Sequence, residues 1–86
     1  MPCKFMFFKS PTCGPCKLFY PQVENAAKTL NIELFTIDVT EDTETPEKYN
    51  IQSSGTLLLL NENNEVIKMW ERPCPANNII SEVQSL

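Results

Sequence analysis

With 86 residues the chain can hold one domain, and a domain of that size hides only about 60 to 65% of the surface its unfolded chain exposes. A hydrophobic fraction of 42% suffices for a core, while a net charge of -4 with seven basic residues spread singly excludes the clustered cationic face that nucleic-acid binding requires. No apolar run approaches the roughly 20 residues that span a bilayer, and the N-terminus lacks an apolar h-region with a cleavage site, so a soluble cytoplasmic monomer is expected.

Residues 3–8 are apolar apart from Lys4, and such a run suits a strand covered on both faces, at the centre of an α/β sheet. A loop from Ser10 to Thr12 precedes a helix over 14–30, where Phe19, Val23, Ala26 and Leu30 recur on one face. Pro21 falls inside it. Lacking an N–H, Pro21 either kinks this helix or begins a new one. Asn31 ends the helix, and residues 32–39 return as a second strand after a right-handed crossover. Glu41, Asp42, Glu44 and Glu47 gather at the start of a short helix over 43–50, with Thr43 and Pro46 as starters. Carboxylates there favour the helix dipole; an acidic docking patch is the other reading. Residues 51–55 read as a polar loop, 56–60 as a buried strand, 61–64 as a turn and 65–70 as the returning arm of a hairpin. Arg72-Pro73-Cys74-Pro75 breaks the strand before a final amphipathic helix marked by Ile79, Ile80, Val83 and Leu86. The order predicts one α/β domain over residues 1–86: βαβ, a short helix, then ββα, in a four-stranded mixed sheet with helices on both faces.

The chemistry concentrates in Cys13-Gly14-Pro15-Cys16, where the first strand gives way to the first helix. With Cys13 at the helix start and Cys16 three residues on, both sulfurs can meet on one side and close a small disulfide ring. Unpaired N–H groups and the positive end of the helix dipole favour a thiolate at the first position. Pro15 suits an early helical position. A pair of cysteines so placed, in a chain with no export signal, reads as a redox dithiol rather than a structural framework.

Together with Pro21, eight residues after Cys13, and with Tyr49-Asn50-Ile51 followed by Gly55-Thr56-Leu57-Leu58-Leu59-Leu60, this motif resembles the thioredoxin family across nearly the whole chain. The resemblance implies a minimal thioredoxin fold, near a glutaredoxin in size and without the family's extra N-terminal strand and helix. It implies a thiol–disulfide oxidoreductase with Cys13 as nucleophile and Cys16 as resolving thiol. The partners implied are disulfide-containing proteins and a thioredoxin-reductase-like flavoprotein. The expected substrate contacts are Thr12, Gly14 and Pro15 around the first cysteine and Ser54, Gly55 and Thr56 on the facing loop.

The chain departs from the family pattern in three places. Thr12 stands where an aromatic residue usually precedes the first cysteine, and Phe7 stands where a buried aspartate usually takes the second thiol's proton. Gly55 stands where a cis-proline usually flanks the dithiol, which should leave its N–H and the Ser54 carbonyl free for an extended substrate. Cys3, at the far end of the first strand, reads as a small buried hydrophobe. Cys74 returns near the site, either as an inert loop thiol or as a third redox or metal-binding sulfur with thiolate character from a helix start. No cofactor is assigned: zinc takes about four ligands, and the chain has no histidine. The competing readings are a glutaredoxin-like hydrogen donor to ribonucleotide reductase, a non-catalytic binding module, and a metal or iron–sulfur protein.

Overall fold

The structure, a computed structural model, describes residues 3–86. Side chains alternate along β1 (Lys4–Lys9): Phe5 and Phe7 join the core on one face, Met6 and Phe8 the packing on the other, and all three phenylalanines are fully buried. Burial on both faces is what a continuous apolar run at a sheet centre requires. β1 pairs in parallel with β2 (Glu33–Asp38) and antiparallel with β3 (Thr56–Leu60), and β4 (Val66–Trp70) pairs antiparallel with β3. The sheet order is β2-β1-β3-β4. Every residue of β3, the second central strand, is buried.

One face lies under α1 (Gly14–Leu30) and α3 (Ala76–Gln84), whose Phe19, Val23, Ile79 and Val83 pack with Phe5, Phe7, Leu57 and Leu59. Trp70 meets Phe5 edge-on at 6.2 Å and donates its indole N–H to Glu82 at 2.7 Å, tying β4 to α3. Lys68 reaches the same carboxylate at 3.1 Å. The other face is covered by α2 (Glu44–Lys48) through its C-cap Tyr49, with Val39 and Ile51 beside it on Phe8, Leu58 and Leu60. The predicted α/β fold, with its four-stranded mixed sheet and helices on both faces, is therefore the one observed.

Differences lie at the element ends. α1 runs unbroken through Pro21, so no helix begins there, and it closes at Asn31 in the left-handed conformation with φ 56°. β2 is shorter than 32–39: the Ile32 N–H turns back to the Ala27 carbonyl at the end of α1, while the Val39 N–H still reaches the Lys9 carbonyl of β1 just past the last strand residue. α2 is a little over one turn rather than 43–50, and Thr43 makes no side-chain cap. Asp42 caps it instead: one carboxylate oxygen accepts the Glu44 and Thr45 N–H groups at 3.1 and 3.0 Å, and the other accepts the Thr45 hydroxyl at 2.6 Å. α3 ends before Leu86, which is exposed. No helix among the described residues is long and apolar enough to cross a membrane.

Candidate active site

β1 delivers the chain through residues 10–12 to Cys13, which is the N-cap of α1 in an extended conformation, φ -83°. Its sulfur accepts the Cys16 N–H at 3.1 Å. One of the N–H groups that a helix start leaves without a partner is thereby satisfied, and the same geometry favours negative charge on Cys13 once the thiol is free. Pro15, in the first turn, removes no helical hydrogen bond. Cys13 and Cys16 are joined as a disulfide with Cα atoms 5.4 Å apart, and both are buried. Cys16 Sγ also faces the Phe8 carbonyl at 4.0 Å. Thr12, Gly14 and Pro15 surround the bridge as an exposed rim.

The loop before β3 forms the opposite wall. Gly55 has φ 85°, and a Cβ built on it would stand 3.6 Å from Cys16 Sγ and 3.7 Å from Cys13 Sγ. The glycine thus faces both sulfurs, as the strand topology predicts. Its N–H is not free, contrary to expectation: it donates to the Phe8 carbonyl at 2.6 Å. The physical reason is that Phe8, the buried residue before the last position of β1, has a carbonyl that needs a donor, which glycine has and proline lacks. The Ser54 N–H and carbonyl have no backbone partner among the described residues. Thr56 is buried with its hydroxyl donating to the Ser53 carbonyl at 3.0 Å, and Ser10 reaches Ser54 through their hydroxyls at 3.4 Å. The first bond tightens the loop on itself, and the second joins it to the segment that leads to Cys13.

A strand, a dithiol at a helix N-cap and a loop from an antiparallel strand closing over it form a recognisable arrangement, and the thioredoxin family model matches residues 4–85. The chain belongs to the thioredoxin family. It is 34% identical over 80 residues to a protein disulfide-isomerase of Zea mays, covering 85% of this chain and 16% of that protein. It is 39% identical over 57 residues to a thioredoxin of Bacillus subtilis, covering 64% of this chain and 55% of the relative. Among solved structures, thioredoxin 1 of Thermosipho africanus superposes with a TM-score of 0.84 at 26% identity, covering 95% of this chain and 91% of that one. The chain thus spans between 16% and 55% of the length of these two curated relatives.

Within this thioredoxin-family frame, Phe7 is fully buried against α1, edge-on to Phe19 at 5.6 Å and tilted to Tyr20 at 5.7 Å. Beside it a cavity of about 370 Å³ opens against Cys13 and Cys16, with Lys9, Lys17 and Tyr20 among its walls. Its lining holds no carboxylate.

Cys3 and Cys74 are free. Cys3 is half-buried rather than fully so, at the edge of the larger core. Cys74 lines a separate shallow hollow with Leu18 and Gln22. Burial, and then the Glu82 carboxylate, push its thiol pKa above the ordinary value, which favours the inert loop thiol over the alternative with thiolate character from a helix start. No group of three or more His, Cys, Asp or Glu side chains among the described residues is placed to hold a metal ion. A residue that sequence reasoning missed is Gln22, whose side-chain carbonyl accepts the Ala76 N–H at 2.9 Å and caps α3 from α1. Only its place one residue after Pro21, on the flank of the helix stripe, hinted that it faces a neighbour.

Proposed function

We propose that this protein reduces disulfides in protein substrates by closing and reopening the Cys13–Cys16 bridge. The observation that carries the reading is the bridge itself, at the N-cap of α1 with its sulfurs against a residue that has no side chain. Cys13 thiolate attacks one sulfur of the substrate disulfide. A bond forms between Cys13 and substrate, the substrate's own S–S bond breaks, and the departing thiolate takes a proton. Cys16 then attacks Cys13 Sγ, closing the bridge and expelling the second substrate thiolate. The substrate gains two electrons and two protons, and the dithiol loses them; a thioredoxin-reductase-like flavoprotein returns them.

With Phe7 in the place of an acid, the Cys16 proton passes to the departing thiolate or to water, which slows the resolving step. Substrate binding rests on the unpaired Ser54 peptide groups, which can pair with an extended segment, and on the rim of Thr12, Gly14 and Pro15. Gly55 contributes by placing no side chain against the two sulfurs, and Thr56 by bonding within the loop. Two unpaired cysteines fit a reducing, cytoplasmic setting.

The test is reduction of a disulfide-linked polypeptide with dithiothreitol as electron source. Cys13→Ser abolishes it, and Cys16→Ser accumulates a mixed disulfide visible in the intact mass; normal turnover by Cys16→Ser would remove its resolving role. Equilibration with glutathione buffers fixes the direction. Thioredoxins as a family have midpoints near about -270 mV, a value this geometry does not itself supply. A midpoint below about -230 mV makes the protein a reductant, and one above about -180 mV an oxidant or isomerase.

A further inference from the structure

The cavity beside the dithiol carries a charge opposite to that of the molecule. The chain is acidic, with eleven carboxylates against seven basic residues, and its net charge is -4. Yet the charged side chains lining the space against Cys13 and Cys16 are Lys9 and Lys17, without a carboxylate. They frame the dithiol along the chain: Lys9 ends β1 just before the loop, and Lys17 follows Cys16 on α1. Both are exposed. The ion pair found among the described residues joins Lys68 to Glu82, far along the chain from either lysine.

The two cations differ in how committed they are. Lys9 lies close enough to Asp38 to lower that carboxyl's pKa, although the main cause there is the Thr40 hydroxyl, followed by the Thr40 N–H. Lys17 has no such neighbour among the shifted carboxylates. The facing wall, Ser54 and Gly55, is uncharged. A group entering this cavity therefore meets the side chains of two lysines, and Lys17 has no ion-pair partner among the described residues.

Building on the proposed reductase activity, we propose that the site selects disulfides flanked by a carboxylate, with Lys17 the main determinant and Lys9 the lesser one. The carboxylate occupies the cavity while its neighbouring sulfur meets Cys13. That chemistry is shared by an acidic polypeptide segment and by a small free disulfide bearing carboxylates. At about 370 Å³ the cavity holds one acidic side chain or one end of such a small molecule.

The experiment is single-turnover oxidation of the fully reduced chain, followed by stopped flow, so that no recycling partner enters. Three disulfide peptides identical except for Glu, Gln or Lys beside the cysteine are compared with a small dianionic aromatic disulfide. The reduced dithiol supplies both electrons, forming its bridge as each substrate disulfide becomes two thiols. The Glu peptide is expected to react about three to ten times faster than the Lys peptide at low salt, the gap shrinking towards unity near 1 M salt. Lys17→Gln lowers that ratio more than Lys9→Gln does, and Lys17→Glu reverses the order. A general change in thiolate reactivity would alter all rates together and leave the ratio unmoved. If the peptide ratio holds, a dianionic disulfide whose rate falls in Lys17→Gln extends the site to free small molecules, and one whose rate does not confines the support to acidic segments. Equal rates for Glu and Lys peptides, or a preference surviving in Lys9→Gln/Lys17→Gln, would overturn the proposal and leave the reductase reading standing. Failure to reduce any of the substrates would overturn both.

Discussion

On one face of the sheet Phe5, Phe7, Leu57 and Leu59 lie beneath α1 and α3 with at most 1% of their surface exposed. On the other, Phe8, Leu58 and Leu60 are equally buried under α2 and its loop, but Phe35 and Met69 each keep 41% exposed. Phe35, Met6, Leu58 and Met69 form one row across the four strands, so burial on this face fades from the middle of the sheet to its edges. The dithiol belongs to the first face, since Cys13 and Cys16 pack in the same cluster as Phe7, Phe19 and Leu57. Stability and site geometry are therefore concentrated in one layer, and the other layer can loosen with less consequence for the chemistry.

The sharpest test of that contrast compares neighbours on adjacent strands. Leu57→Ala removes a fully buried side chain from the first face and should cost about 2 to 5 kcal/mol. Met69→Ala, two-fifths exposed on the second, should cost under about 1 kcal/mol. Urea denaturation of the reduced protein measures both, and similar losses would refute the uneven layering.

A smaller effect is expected where the first layer meets the active site. At Gly55 a Cβ would find ordinary contacts with the two sulfurs, so space is not the obstacle. The obstacle is φ 85°, which an L side chain adopts at a cost of about 1 to 2 kcal/mol. Gly55→Ala should be destabilised by that amount in the same urea titration; an unchanged midpoint would mean that the loop relaxes to another conformation. Next comes Gln22→Ala, which leaves the Ala76 N–H without its acceptor and should cost about 1 kcal/mol, with faster amide exchange confined to the start of α3.

The site was legible where chemistry and chain order coincide. Cys13-x-x-Cys16 between an apolar strand and a helical stripe fixes the dithiol, and antiparallel return of the third strand brings Gly55 to it. What sequence could not supply was the identity of hydrogen-bond partners. Whether the Gly55 N–H is free depends on where β1 ends, because the Phe8 carbonyl sits one residue short of the strand's last position. Gln22 caps a helix 54 residues away, and no local pattern encodes such a contact. Cys74 stayed open between two readings for a related reason: chain order places it before a helix, but its pKa follows from burial and from Glu82, which only the folded α3 brings near, and both favour the inert thiol. The element ends slipped at α2 because Asp42, Thr43 and Thr45 are all plausible caps, and the choice between Asp42 and Thr43 is made by geometry within the turn.

Asp42 also provides the gentlest way to probe the second layer. Its carboxyl pKa lies below the ordinary 3.8, chiefly through the Thr45 hydroxyl, then the Thr45 N–H and the Glu44 N–H. A folded pKa below the unfolded one means that the ionised cap stabilises α2 fully above pH 3.8, and that this contribution fades as pH falls towards the lower folded value. Asp38 and Glu82 shift in the same direction, through Thr40 and Trp70 respectively, so wild-type acid sensitivity is a sum over three carboxylates. Asp42→Ala isolates one of them. Its melting temperature should lie below wild type at neutral pH by a constant margin, and that margin should narrow as pH drops below 3.8. Because Asp42 caps the helix over the less buried face, the rate at which the reduced Cys13 thiol is alkylated should be the same in both proteins. A margin that persisted to about pH 2 would show that the cap does not act through its charge. An altered alkylation rate would show that the two layers are coupled more tightly than their packing implies.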